Sequence, residues 1–500
     1  MTTIIFMSKA YPFDKQKYLD IQKKKIVERI NFFGGRLYLE FGGKLFDDLH
    51  AERVLPGFKK DSKLELLLSL RDDMEMIMVV SAQDIKNRKV RVDMNLTYDV
   101  EVERLITAYE RAGISINSVV LSFYESHPEV NKFVRRLKNN KINVYKHYKI
   151  AGYPQNIPLI VSEQGLGKNE YIPTTKPLVL VTAPGPGSGK MATCLSQIYH
   201  ESKREIKSGY AKYETFPVWN LPLNHPVNMA YEAATVDLFD VNMIDPYHLE
   251  AYGQTVVNYN RDVETFPLLR DLFRSLLGEC PYKSPTDMGV NMIGFAINDD
   301  EAIQEAAKLE IVRRYHKTKK DFFLGIVDEG PLEKAEMLLR RLDLTTDLRR
   351  CVKASTSKTA KILSPVVAIE LKDGTVITGK RSALLTSSAA AILNALKQLA
   401  GIDDKLTLLS RQVIEPIISL KTENLHNHSP KIHAEEILIA LAIQANTNPL
   451  AELCLSKISE LEGCEAHSSC ILDVVDLKTF NKLGVRMTEE PQSYMYKNVQ

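Results

Sequence analysis

The strongest constraint on this chain is an alternation. Strand-length apolar runs at 36–41 ("RLYLEF"), 74–82 ("MEMIMVVSA"), 116–124 ("INSVVLSFY") and 142–150 are separated by stretches of helical period at 13–33, 63–70, 100–111 and 128–139. Apolar strands with helices between them predict parallel crossovers, because the helices cover both faces of such a sheet. The expected fold class is α/β. At 500 residues the chain exceeds what one core holds, so it is expected to be multidomain.

A connection containing Gly and Pro at 151–176 precedes a further strand, "PLVLVTAP" at 177–184, and suggests a boundary. The expected division is an N-terminal α/β domain at 1–170, a phosphate-loop-like α/β region with a helical segment at 171–350, and a C-terminal α+β domain at 351–500. In the last, "VVAIELKDGTVITG" at 366–379 places Asp373-Gly374 between alternating runs, a hairpin signal. The helix expected at 387–400 ends at Gly401, which can take the left-handed position after a C-cap.

The 65 basic and 63 acidic residues nearly cancel, so no global field recommends nucleic acid or an anionic membrane as partner. The basic run "KFVRRLKNNK" at 132–141 reads as the solvated face of an amphipathic helix. Six cysteines without a CxxC pair point to a reducing compartment. With no signal-like N-terminus and no long uncharged apolar run, the cytoplasm is the expected location.

The chemistry concentrates at "APGPGSGKMATC", 183–194, directly after the strand at 177–184. Glycines at 185, 187 and 189 let backbone N–H groups approach an anion, a helix N-terminus adds partial positive charge, and Lys190 can reach outer phosphates. Two residues depart from a Walker A loop: Pro184 stands where Gly is usual, and Met191 replaces the Mg²⁺-holding Ser or Thr. The cradle would therefore comprise Gly185, Gly187, Ser188, Gly189, Lys190 and Thr193. The bland reading is a glycine-rich turn with Lys190 in solvent. Asp237 and Asp240 are the candidates for a magnesium carboxylate, although their segment is not clearly a strand. A second glycine turn, Gly42-Gly43-Lys44, has Glu40, Asp47, His50 and Arg53 nearby and is as readily a simple turn.

Downstream, Asn224, His225, Asn228, Asn258, Asn260, Arg261, Asp262, Asp287 and Asn291 lie in otherwise apolar surroundings. Each alone reads as satisfying loop backbone, whereas together they form the best candidate for a small-molecule substrate pocket. Near the C-terminus, His433 and Glu435 open an apolar helix, and Cys464 and His467 follow three residues apart. That set resembles a zinc deaminase centre. It has Cys-x-x-His instead of Cys-x-x-Cys and lacks the preceding Pro, so a capped helix and a buried Cys are favoured and zinc is not expected.

The words "RLYLEFGGKLFDDLHAERVLPGF", "APGPGSGKMATCLSQIYHE", "VNYNRDVETFP", "KIHAEEILIALAIQA" and "GCEAHSS" resemble, in order, the mainly bacterial family catalogued as domain of unknown function 1846. The resemblance implies a multidomain α/β cytoplasmic protein that self-associates. It also implies that the Pro and Met departures in the loop are a settled variant. It hands over no reaction, so the residues carry the functional expectation. That expectation is binding of ATP or another phosphorylated ligand with Mg²⁺, used for ligation or phosphoryl transfer. A metal-dependent hydrolase or deaminase-like protein and a non-catalytic ligand-sensing oligomer are the alternatives.

Overall fold

A computed structural model describes residues 11–43, 45–46, 48–91 and 96–492. Lys44 and Asp47 of the second glycine turn lie outside the described residues. The chain forms two compact units. The first comprises 1–235 and 240–307, and the second 236–239 and 308–500.

The first unit is built on a seven-stranded sheet whose strands run, edge to edge, Gly289–Val290, Ser208–Tyr213, Arg36–Phe41, Leu178–Thr182, Met74–Ser81, Ile116–Ser122 and Asn143–Lys146. Every pairing is parallel. Helices cover both faces, as the alternation predicts. Leu37, Leu39, Leu178 and Leu180 pack with Leu66, Val102 and Phe133 on one face. Tyr38, Val179 and Val181 pack with Ile198 and Phe273 on the other. The segment at 151–176 connects two strands of this one sheet, Asn143–Lys146 and Leu178–Thr182.

The strand order sets where a ligand can sit. After Arg36–Phe41 the chain crosses Leu178–Thr182 to reach Met74–Ser81, and after Leu178–Thr182 it crosses Arg36–Phe41 in the opposite direction to reach Ser208–Tyr213. Neighbouring strands thus send their connections to opposite faces, which makes their carboxyl ends a topological switch point, the place where ligands bind in open α/β sheets.

The second unit has a four-stranded sheet in the order Val376–Lys380, Val366–Glu370, Glu465–Ser468 and Arg486–Glu489. The first two strands form the hairpin expected around Asp373-Gly374, with Gly374 at φ 85°. Helices Ser387–Leu399, Ala434–Ala445 and Val474–Lys482 contribute Ile392, Ile437 and Phe480 to its core. Gly401 is left-handed, at φ 66°.

Candidate functional site

The strand Leu178–Thr182 is buried along its whole length and delivers the glycine turn to the switch point. Gly187 and Gly189 take φ of 71° and 90°, the left-handed region in which a side chain is strained. The helix Lys190–Ser202 starts immediately after Gly189. Among the described residues, the amide groups of Gly187, Ser188, Gly189, Lys190, Met191 and Ala192 donate to no protein acceptor, and the first helical hydrogen bond runs from Thr193 N–H to Gly189 O at 3.0 Å. Consecutive unbonded donors at a helix start carry partial positive charge.

Neighbouring strands hold the turn. Ser122 Oγ donates to Ser188 O at 2.6 Å, and Ser188 Oγ donates to Gly185 O at 3.1 Å. The Tyr98 ring lies against Gly185, where a Cβ would come within 2.4 Å of its hydroxyl. Thr193 is fully buried, donates to Gly189 O at 3.1 Å and stands 3.4 Å from His147 Nδ1. Its hydroxyl is thus engaged inside the fold. Burial pushes the His147 imidazole down to about 4, so the group beside Thr193 is neutral.

Lys190 Nζ lies 3.9 Å from Glu40 Oε1 at the end of the adjoining strand, and Tyr210 donates its hydroxyl to the other Glu40 oxygen at 2.8 Å. Register aligns Glu40 with Val181 on one side and Lys212 on the other. Lys212 is itself buried, with Nζ 2.6 Å from Asp262 Oδ2 and 2.7 Å from Glu214 Oε1 and a short hydrogen bond to Tyr259. The two carboxylates raise the Lys212 ammonium pKa above its ordinary value despite burial. Burial raises that of Glu214, and Asp262 adds to the shift. A proton on Glu214 would leave one positive and one negative charge in this group.

The remaining expected site residues are tied elsewhere. Asp240 is fully buried and paired with Arg261 Nε at 2.6 Å and the Tyr231 hydroxyl at 3.1 Å. Asp237 is exposed and belongs to the second unit. Asn228 accepts from Val218 N–H at 2.7 Å and Asn260 from Val241 N–H at 3.0 Å, so both satisfy backbone. His225 accepts from Val227 N–H at 3.3 Å and meets Asp300 at 3.0 Å. Asp287 closes a capping box with Ser284. Asn224 is exposed. Asn258 and Asn291 line a cavity of about 20 Å³ with Glu214, Trp219 and Thr286. That is room for about one water. Asp262 alone of this set joins the charged group beside Glu40.

The C-terminal set is not brought together. His433 Nδ1 lies 3.2 Å from Asp476 Oδ1, Glu435 pairs with Lys482 at 3.0 Å, and Cys464 Sγ contacts Glu460 O at 3.5 Å. Among the described residues, His467 instead clusters with His316 and Glu490.

Sequence reading missed Lys212, Glu214 and the pairing of Glu40 with Lys190. The available signal was "SGYAKYE" at 208–214, where Tyr210, Lys212 and Glu214 recur at strand spacing.

The six cysteines form no disulfide. No helix among the described residues is long and apolar enough to cross a membrane. Residues 11–343 match the family described as Domain of unknown function DUF1846, N-terminal, and residues 347–499 match its C-terminal counterpart. The chain is 50% identical over 488 residues to "UPF0371 protein str1377" of Streptococcus thermophilus, covering 98% of this chain and 99% of that one. It is 49% identical over the same span to a "UPF0371 protein" of Streptococcus pneumoniae, with equal coverage. The resemblance read from the loop, the "VNYNRDVETFP" stretch and the C-terminal words is borne out, and the chain belongs to the DUF1846 family.

Proposed function

We propose that this protein binds the phosphate chain of ATP, or of another phosphorylated small molecule, at residues 185–190 and uses it for phosphoryl transfer or ligation. The observation that carries the reading is the run of unbonded amides from Gly187 to Ala192, placed at the switch point with Lys190 beside it. Lys190 would neutralise charge developing on the transferred group. Glu40 stands next to Lys190 and opposes a bare phosphate. An accompanying Mg²⁺ would offset that charge, which makes Glu40 a better-placed ion carboxylate than Asp240, already engaged by Arg261. Self-association belongs to the same proposal and is tested by light scattering against the 56.6 kDa chain mass.

Thermal melting with Mg²⁺–ATP, and separately with inorganic phosphate, tests the cradle. The unaltered chain is expected to be stabilised by Mg²⁺–ATP. Lys190→Ala should weaken binding roughly tenfold or more, the worth of one hydrogen bond to a charged group, while melting normally without ligand. Absence of stabilisation, or equal stabilisation of the variant, overturns the reading. Binding without turnover of any phosphorylated substrate would identify the non-catalytic sensor.

A further inference from the structure

His316 lies on the helix Asp300–Phe323, His467 on the strand Glu465–Ser468, and Glu490 just beyond the strand Arg486–Glu489. Both imidazoles are at least 99% buried, at 1% and 0% exposure. Both nitrogens of His316 and Nε2 of His467 lack a hydrogen-bond partner. Buried polar atoms left in this state are costly and rare. The rings sit 4.7 Å apart, and ligand atoms of all three residues fall within 4.8 Å of one another.

We propose that His316, His467 and Glu490 bind a divalent transition metal, zinc foremost. Glu490 Oε1 is 3.5 Å from His316 Nδ1 and 3.4 Å from His467 Nε2. Those separations are long for hydrogen bonds. They come within about 0.1 Å of the edge of a tetrahedron built on bonds of about 2.0–2.1 Å, which works out to about 3.3–3.4 Å.

The surroundings orient the donors. His467 Nδ1 is 2.8 Å from Thr488 Oγ1, and the Thr488 hydroxyl in turn points at Ala466 O at 3.4 Å. With that proton so directed, Nδ1–H is the donor and Nε2 presents its lone pair outward, the arrangement that outer-shell partners impose on metal-binding histidines. Lys319, one turn along the helix from His316, holds the other Glu490 oxygen at 3.1 Å and leaves Oε1 facing the rings. The nearby cations are otherwise matched: Arg349 pairs with Glu465 at 2.9 Å and Lys320 with Glu489 at 2.5 Å. Two imidazole nitrogens and one carboxylate oxygen make a borderline-soft donor set, and three protein ligands leave a fourth position for a small molecule or solvent.

The test uses the full chain stripped with a chelator and titrated with Co²⁺ by visible absorption, then with Zn²⁺ by calorimetry. No nucleotide is present, so the outcome is independent of the phosphate cradle. One equivalent is expected to bind. His467→Ala and Glu490→Gln should each lower affinity on the order of a hundredfold or more, since even second-shell losses cost 10–100-fold. His433→Asn should leave uptake unchanged, and circular dichroism confirms that each variant is folded. No stoichiometric uptake by the unaltered chain overturns the site. So does uptake that folded His467→Ala and Glu490→Gln retain in full, because other histidines would then hold the metal.

Discussion

At the scale of single residues, the glycine turn separates backbone strain from steric conflict. A Cβ at Gly189 would stand 2.9 Å from Ser122 Cβ in addition to forcing a side chain into φ 90°. A Cβ at Gly187 would meet nothing within 4 Å. Gly187→Ala should therefore cost about 1 kcal/mol of backbone strain alone, and Gly189→Ala about 1–3 kcal/mol, as read from urea unfolding. Equal effects would show that Ser122 does not confine the turn. The glycine turn and the helix start at Lys190 were legible because strand, turn and helix signals are spelled locally. Glu40 was visible only as part of a different glycine turn. Its approach to Lys190 depends on which strands lie side by side, a fact that no local spelling carries.

At the scale of elements, helix Ala434–Ala445 shows how a metal-like pattern becomes a cap. Glu436 accepts from His433 N–H at 2.8 Å, and Asp476 accepts from Ala434 N–H at 2.8 Å while facing the His433 ring. A hydrogen bond to Asp476 raises the His433 pKa above its ordinary 6.5, and the Asp476 pKa is lowered below 3.8, with His433 lowering it against burial. The charged ring is thus favoured by folding. Its contribution is complete below about pH 6.5 and lost as pH rises through the raised value, while that of Asp476 is lost as pH falls below about 3.8. His433→Asn should lose stability most between about pH 4 and 6.5 and converge on the unaltered chain in alkali, as followed by denaturant melts across pH. A gap independent of pH would assign His433 a packing role only.

Elements also mark where pattern reading stopped. The helix Asn260–Leu277 contains Pro267, which suppresses a helical reading, yet Phe266, Leu269 and Phe273 anchor it on the sheet. The strand Ser208–Tyr213 carries Gly209 and Lys212, residues that weaken a strand signal. Gly209 is required because a Cβ there would meet the Phe33 ring at 2.2 Å. Lys212 is tolerated because Asp262 and Glu214 pair with it.

At the scale of the whole molecule, the border between the two units at 307/308 falls inside the helix Asp300–Phe323 and not at the family boundary near residue 345. From Lys308 onward this helix supplies Arg313 to Glu465 at 2.7 Å, Lys319 to Glu490 and Lys320 to Glu489. A fragment of residues 308–492 should therefore be more stable than one of 347–492 by on the order of 1 kcal/mol or more, because the shorter one loses the pairs that Arg313, Lys319 and Lys320 make with Glu465, Glu490 and Glu489. Urea midpoints of the two fragments decide this. Equal midpoints would show that the helix is dispensable to the second unit.

The sequence by itself determined the alternating α/β character, the hairpin at 366–380, the strand-turn-helix at Lys190 and the family. Each of these is a local pattern, set by side-chain period, turn chemistry or contiguous words. Only the tertiary structure decided the strand order that places Glu40 beside Lys190, the commitment of most downstream polar residues to backbone and ion pairs, and the meeting of His316, His467 and Glu490. Those contacts join residues up to 174 positions apart, from His316 to Glu490. Nothing in either neighbourhood of the chain records the other, because the packing that joins them is a property of the folded sheet and helices together.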